Sequence, residues 1–135
     1  MPPSQQPKQR TLEQVAEDVA LYPPAAFDFV EEGLRYTVHN IHGDKAKEPE
    51  ANRHVSGQQL CDGLRALALL KWGMLARTVL RRWNITSTLD FGRIVFALIE
   101  AGQMQKTDED SVEDFKDVFE FKRVFETSYR IPAES

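Results

Sequence analysis

Apolar residues recur at intervals of three and four along most of this chain, and the period blurs only after Gly102. Leu12, Val15, Ala16, Val19 and Ala20 share one side of a helix. Thr11 followed by Gln14 is a capping-box pattern that opens it, and Tyr22-Pro23-Pro24 breaks it after Leu21. Pro24 suits the first turn of a second helix, where a missing N–H costs nothing. Phe27, Val30, Leu34, Val38 and Ile41 form its apolar stripe, and Gly43 is a natural stop. Residues 44–53 are polar, contain Pro49 and read as a loop.

Ser56 and Gln59 repeat the capping-box pattern ahead of Leu60, Leu64, Leu67, Ala68 and Trp72. Gly73 bends or ends that helix. The spacing predicts another from about Met74 to Trp83, burying Leu75, Val79 and Trp83 and closed by Asn84. Ser87 or Thr88 then caps a strongly apolar helix with Leu89, Ile94, Val95, Leu98 and Ile99, ended by Gly102. Beyond it two periods compete. Phe115, Val118, Phe119 and Phe125 fit helical spacing, while 104–106 and 115–121 fit the arms of a hairpin. We take a short β-hairpin within 103–121, followed by a helix over about 121–128. The expected fold is mainly α: one helical domain of five to six helices over 11–131, after a disordered lead at 1–10 and before a tail at 132–135.

Several stretches resemble a short, uncharacterised bacterial family found largely in planctomycetes and verrucomicrobia. They are Arg53-His54-Val55-Ser56-Gly57-Gln58-Gln59-Leu60-Cys61, Ala76-Arg77-Thr78-Val79-Leu80-Arg81-Arg82-Trp83, and Asp90-Phe91-Gly92 with Ile94-Val95-Phe96. Glu113-Asp114-Phe115 and Asp117-Val118-Phe119 extend the likeness, which covers residues 22–131 and implies no activity, cofactor or catalytic residue. A second resemblance is architectural: helices, a glycine stop and a hairpin follow the order of a winged-helix domain. Residues 85–106 then look like its turn, recognition helix and first wing strand. Such a likeness of fold implies no DNA binding by itself.

Composition narrows the class. The 135 residues are 41% hydrophobic and 28% charged, as in an ordinary globule. A single cysteine, Cys61, excludes an intramolecular disulfide and suits a reducing compartment. The N-terminus has no apolar signal region, and no apolar run approaches the ~18 residues of a membrane span. We expect a cytoplasmic protein that does not use the membrane.

The charge is divided into blocks. From Gly63 to Leu89 there is no acid, only Arg65, Lys71, Arg77, Arg81 and Arg82. From Thr107 to Glu120 the acids Asp108, Glu109, Asp110, Glu113, Asp114, Asp117 and Glu120 face only Lys116. Arg77, Arg81 and Arg82 are candidate contacts to phosphates or to acids. The net charge of −4, the apolar character of the helix over 89–101 and the acids at the wing position all disfavour nucleic acid.

Other chemistry is thin. His39, His42, His54 and Cys61 are zinc-ligand types without an established spacing, so no metal site is assigned. Nucleophile motifs, phosphate loops and metalloprotease motifs are lacking. Cys61 with His54 would make a nucleophile and base, but Cys61 lies beside an apolar face. Phe29 and Phe91 fall off their helices' stripes: exposed together they would mark a partner surface, whereas wide buried faces would absorb them. The expectation is a non-enzymatic interaction or adaptor module without cofactor, its partner a protein. It would use Arg77, Arg81 and Arg82 together with Asp108, Glu109, Asp110, Glu113 and Asp114. The alternative is a winged-helix-like nucleic-acid-associated regulator with the same arginines on phosphates. The opposed blocks could equally clasp each other.

Overall fold

Two adjacent prolines set the first corner of the molecule, seen in a computed structural model that describes residues 12–43, 54–102, 104 and 111–127. Helix α1 (Leu12–Leu21) stops before Pro23, and α2 (Pro24–His42) starts with proline in its first turn. Gly43, at φ 59°, ends α2 by donating its N–H to the His39 carbonyl.

Helix α3 (Gly57–Trp72) opens on the expected reciprocal cap. Ser56 Oγ accepts from the Gln59 N–H at 3.0 Å, and Gln59 Oε1 accepts from the Ser56 N–H at 2.9 Å. Gly73, at φ 54°, breaks the helix into a 3-10 turn, Gly73–Leu75, from which α4 (Ala76–Arg82) continues. Asn84, at φ 65°, closes α4. The Ile85 N–H reaches the Leu80 carbonyl and the Asn84 N–H reaches that of Arg81, both at 2.9 Å, which is a Schellman closure with Ile85 and Leu80 buried. Helix α5 (Thr88–Glu100) follows, capped by Ser87.

Helices α2 and α3 run antiparallel in close contact. His42 pairs with the His54 carbonyl at one end, and Phe29 meets Trp72 at the other. Between them Gly33 faces Leu64 and Gly63 faces Thr37, with no room for a β-carbon at either glycine. The buried face of α2 is therefore Ala26, Phe29, Val30, Gly33 and Thr37. This corrects the expected stripe: Ile41 is exposed, and Phe27, Leu34 and Val38 are only partly buried. Small residues won that face because they let the backbones approach.

Similarly, α4 buries Ala76 and Leu80 rather than Leu75 and Val79, because the 3-10 turn rotates the residues that follow it. Phe29 and Phe91 are both buried, so they mark no partner surface. Helix α5 buries eight of its thirteen residues, among them Phe91, Ile94, Val95 and Leu98.

The last described segment lies across α5 and α4. A 3-10 turn, Val112–Phe115, presses Phe115 onto Gly92, and a π-helical turn, Arg123–Thr127, packs on α4. Residues 111–120 thus hold no strand where the returning arm of a hairpin was expected. Residues 103 and 105–110 lie outside the described residues, as do the lead at 1–10 and the tail at 132–135. The architecture is mainly helical, with five α-helices among the described residues.

Candidate interaction face

The arginine block occupies α4 and its exit. Arg81 and Arg82 are exposed, and neither is in an ion pair among the described residues. Arg77, one turn before Arg81, is half-buried and already engaged within the chain. Lys71 is held at 3.2 Å by Glu32 across the α2–α3 contact.

Apolar residues of the same stretch are uncovered. Leu70, Met74 and Leu75 expose 73%, 56% and 60% of their surface. Ala76 and Leu80 point inward, so Met74, Leu75, Thr78, Arg81 and Arg82 make the outward ridge from the 3-10 turn to the end of α4. Trp72 and Trp83, which bracket this stretch, form an aromatic triad with Phe29, ring centroids 5.1 to 5.9 Å apart.

The acidic block is described only in part. Asp108, Glu109 and Asp110 lie outside the described residues. Glu113, Asp117 and Glu120 are exposed, while Asp114 is half-buried with its carboxylate on the Ser111 N–H at 3.1 Å. Among the described residues no ion pair joins these acids to Arg81 or Arg82. Within the described residues, Arg81 and Arg82 make no clasp with the acidic block.

One buried polar cluster escaped the sequence reading. Tyr22, at 1% exposure, donates to Asp90 Oδ1 at 2.6 Å, and Arg93 reaches the same oxygen at 3.3 Å. Asp90 Oδ2 accepts from the Thr86 and Ser87 N–H groups at 2.9 and 3.1 Å. A carboxylate so supplied with donors is structural, the reciprocal half of the cap of α5. Burial first, and then the bond to Asp90, push the Tyr22 phenol well above its usual range, with Arg93 opposing. The Ser87–Asp90 spacing was a readable signal for the cap. Nothing local announces Tyr22, 68 residues away.

The remaining candidates resolve simply. Cys61 is fully buried, and desolvation, aided by the Asp62 charge, pushes its thiol up to about 12, the opposite of an activated nucleophile. His39 and His54 are exposed and His42 is half-buried. Among the described residues no group of three or more His, Cys, Asp or Glu side chains could hold a metal ion. A groove of about 300 Å³ lies between α1, α2 and α5, lined by Val19, Phe27 and Leu98 with Asp28 and Glu31. No described helix is long and apolar enough to cross a membrane.

Comparisons with protein-family models, curated proteins and solved structures give no match to this chain.

Proposed function

We propose that this protein is a non-enzymatic, cytoplasmic interaction module that presents the ridge from Leu70 to Arg82 to an acidic protein segment bearing apolar side chains. The observation that carries the reading is that one stretch, residues 70–82, leaves Leu70, Met74 and Leu75 more than half exposed and also exposes Arg81 and Arg82, which are in no ion pair among the described residues. Apolar side chains left in water at this density mark a surface that another chain covers. The arginines at the end of α4 supply orientation and partner choice. The buried, raised thiol of Cys61 and the donor-saturated Asp90 support a non-catalytic role, since neither is poised to react.

The second reading, a nucleic-acid regulator, keeps Arg81 and Arg82 on phosphates. Its difficulty is α5, the would-be recognition helix, which is covered along most of its length. An exposed leucine–methionine patch also contributes little to a phosphate backbone.

Fluorescence anisotropy separates the two. Acidic peptides with interspersed leucines should bind the wild type, lose binding on R81E/R82E, and lose most of it on L70S. DNA and RNA should give no shift at low salt. Nucleic-acid binding that falls steeply with salt would favour the second reading. Acidic-peptide binding indifferent to both substitutions would remove the first.

A further inference from the structure

Resting on that interaction reading, we propose that the partner is a second copy of this chain. The Leu70–Arg82 ridge of one copy seats against the acidic turn 111–120 of the other, and the reverse contact forms about a two-fold axis.

Charge complementarity is the first ground. Residues 70–82 carry Lys71, Arg77, Arg81 and Arg82 and no acid, whereas 111–120 carry Glu113, Asp114, Asp117 and Glu120 against Lys116 alone. Lys71 is already paired with Glu32 and Arg77 is engaged within the chain, but no ion pair among the described residues joins Arg81 or Arg82 to these acids. Arg81, Arg82, Glu113, Asp117 and Glu120 all stay exposed. Each block therefore has open valence for the other block of a neighbour.

Apolar matching is the second. The acidic turn interleaves its carboxylates with Val118 and Phe119, which pack on the core with one side and keep the other partly exposed, and that exposed part can meet Met74 and Leu75 as the charges pair around them. An apolar centre within a charged rim is the usual anatomy of a specific interface.

Placement is the third. The acidic turn runs directly into the π-helical turn Arg123–Thr127, which packs on α4. The acidic turn itself packs on α5 and α3, and its continuation on α4, so both blocks belong to elements that meet the α3–α4 unit. Two patches of opposite sign on one chain are self-complementary under a two-fold rotation, which opposes plus to minus twice and closes the assembly at a dimer.

Sedimentation velocity with a charge swap tests this. The wild type should be a dimer at low salt and dissociate as salt screens the rim, its dissociation constant rising about tenfold between 50 and 500 mM NaCl. R81E/R82E and E113R/E120R should each be monomeric, with circular dichroism showing both folded. An equimolar mixture of the two should re-form a one-to-one dimer, because every repulsive contact becomes attractive. A wild type monomeric at low salt, a dimer that survives R81E/R82E, or a mixture that stays monomeric would overturn the inference. If the wild type is monomeric yet still binds acidic leucine-bearing peptides through Arg81 and Arg82, the homodimer fails and the interaction reading stands.

Discussion

The Tyr22 hydroxyl donates to Asp90 Oδ1 at 2.6 Å with both residues buried, tying the α1–α2 corner to the first turn of α5. The corner is fastened a second time by Asn84 Nδ2, which donates to the Leu21 carbonyl at 2.7 Å. Tyr22→Phe keeps the ring and removes only the donor to a charged acceptor, a loss of about 1.5–3 kcal/mol. Arg93 still reaches Oδ1, so the lower end is expected, with the melting temperature down by roughly 3–8 °C. Asp90→Ala strands the Tyr22 hydroxyl and two backbone N–H groups and should cost about 3–5 kcal/mol. Denaturant titration of both single variants and the double variant should show positive coupling. Strict additivity would mean that the bond contributes nothing.

Gly63→Ala inverts the usual sign for a glycine within a helix. At an open helical site alanine gains about 1 kcal/mol. Here its β-carbon would overlap Thr37 Oγ1 and come within 2.9 Å of Thr37 Cβ. Thr37 cannot turn away cheaply, because its hydroxyl is bonded to the Gly33 carbonyl at 2.7 Å. A destabilisation of about 1–3 kcal/mol is expected. Gly33→Ala overlaps chiefly the tip of Leu64, which can rotate, and should cost less. Urea midpoints of the two variants check the order.

Helix ends were legible because their signals are local. Ser56 with Gln59, Pro24, Gly43, Asn84 and Gly102 each sit where a helix starts or stops. Which face turns inward was less legible. A count of large apolar residues selects Phe27, Leu34 and Ile41 on α2, whereas close packing selects Ala26, Gly33 and Thr37. The same bias hid the apolar half of the ridge. Spacing places Leu75 in the core, so the arginines stand out by charge while the exposed apolar residues of the same stretch do not. In 111–120 the competing periods reflected a short 3-10 turn, which has neither period.

Leu80 and Leu75 turn that lesson into a measurement. Leu80 is fully buried under α4, and its replacement by alanine should cost about 2–4 kcal/mol. Leu75 is mostly exposed, and the same truncation should stay within about 0.5 kcal/mol. Equal losses would place Leu75 in the core after all.

Thr88 pins the 111–120 segment to α5. Its Oγ1 donates to the Phe115 carbonyl at 2.5 Å and accepts the Val118 N–H at 3.1 Å. Thr88→Val preserves the shape and leaves both groups unpaired in a buried place, at a cost of about 2–3 kcal/mol. Hydrogen exchange of amides in 111–127 should accelerate well beyond that of the α2–α3 pair. Uniform acceleration across the molecule would show instead that the segment and the helices open as one unit.

Alkaline pH should weaken the fold through two groups held protonated by burial. Cys61 is raised from about 9 to about 12 in the folded chain, and Tyr22 is raised above its ordinary value of 10.0. A group raised on folding contributes its full stability below its unfolded pKa and loses it as pH climbs towards the folded one. Above about pH 9 the unfolded chain releases the Cys61 proton while the folded chain keeps it, so stability falls by about 1.4 kcal/mol per pH unit. Tyr22 adds a second such slope above pH 10. Urea unfolding between pH 8 and 11 should show this steepening in the wild type. Cys61→Ala should flatten the first part of the curve and Tyr22→Phe the second. Identical slopes in all three proteins would mean that both groups titrate alike in the folded and unfolded chain.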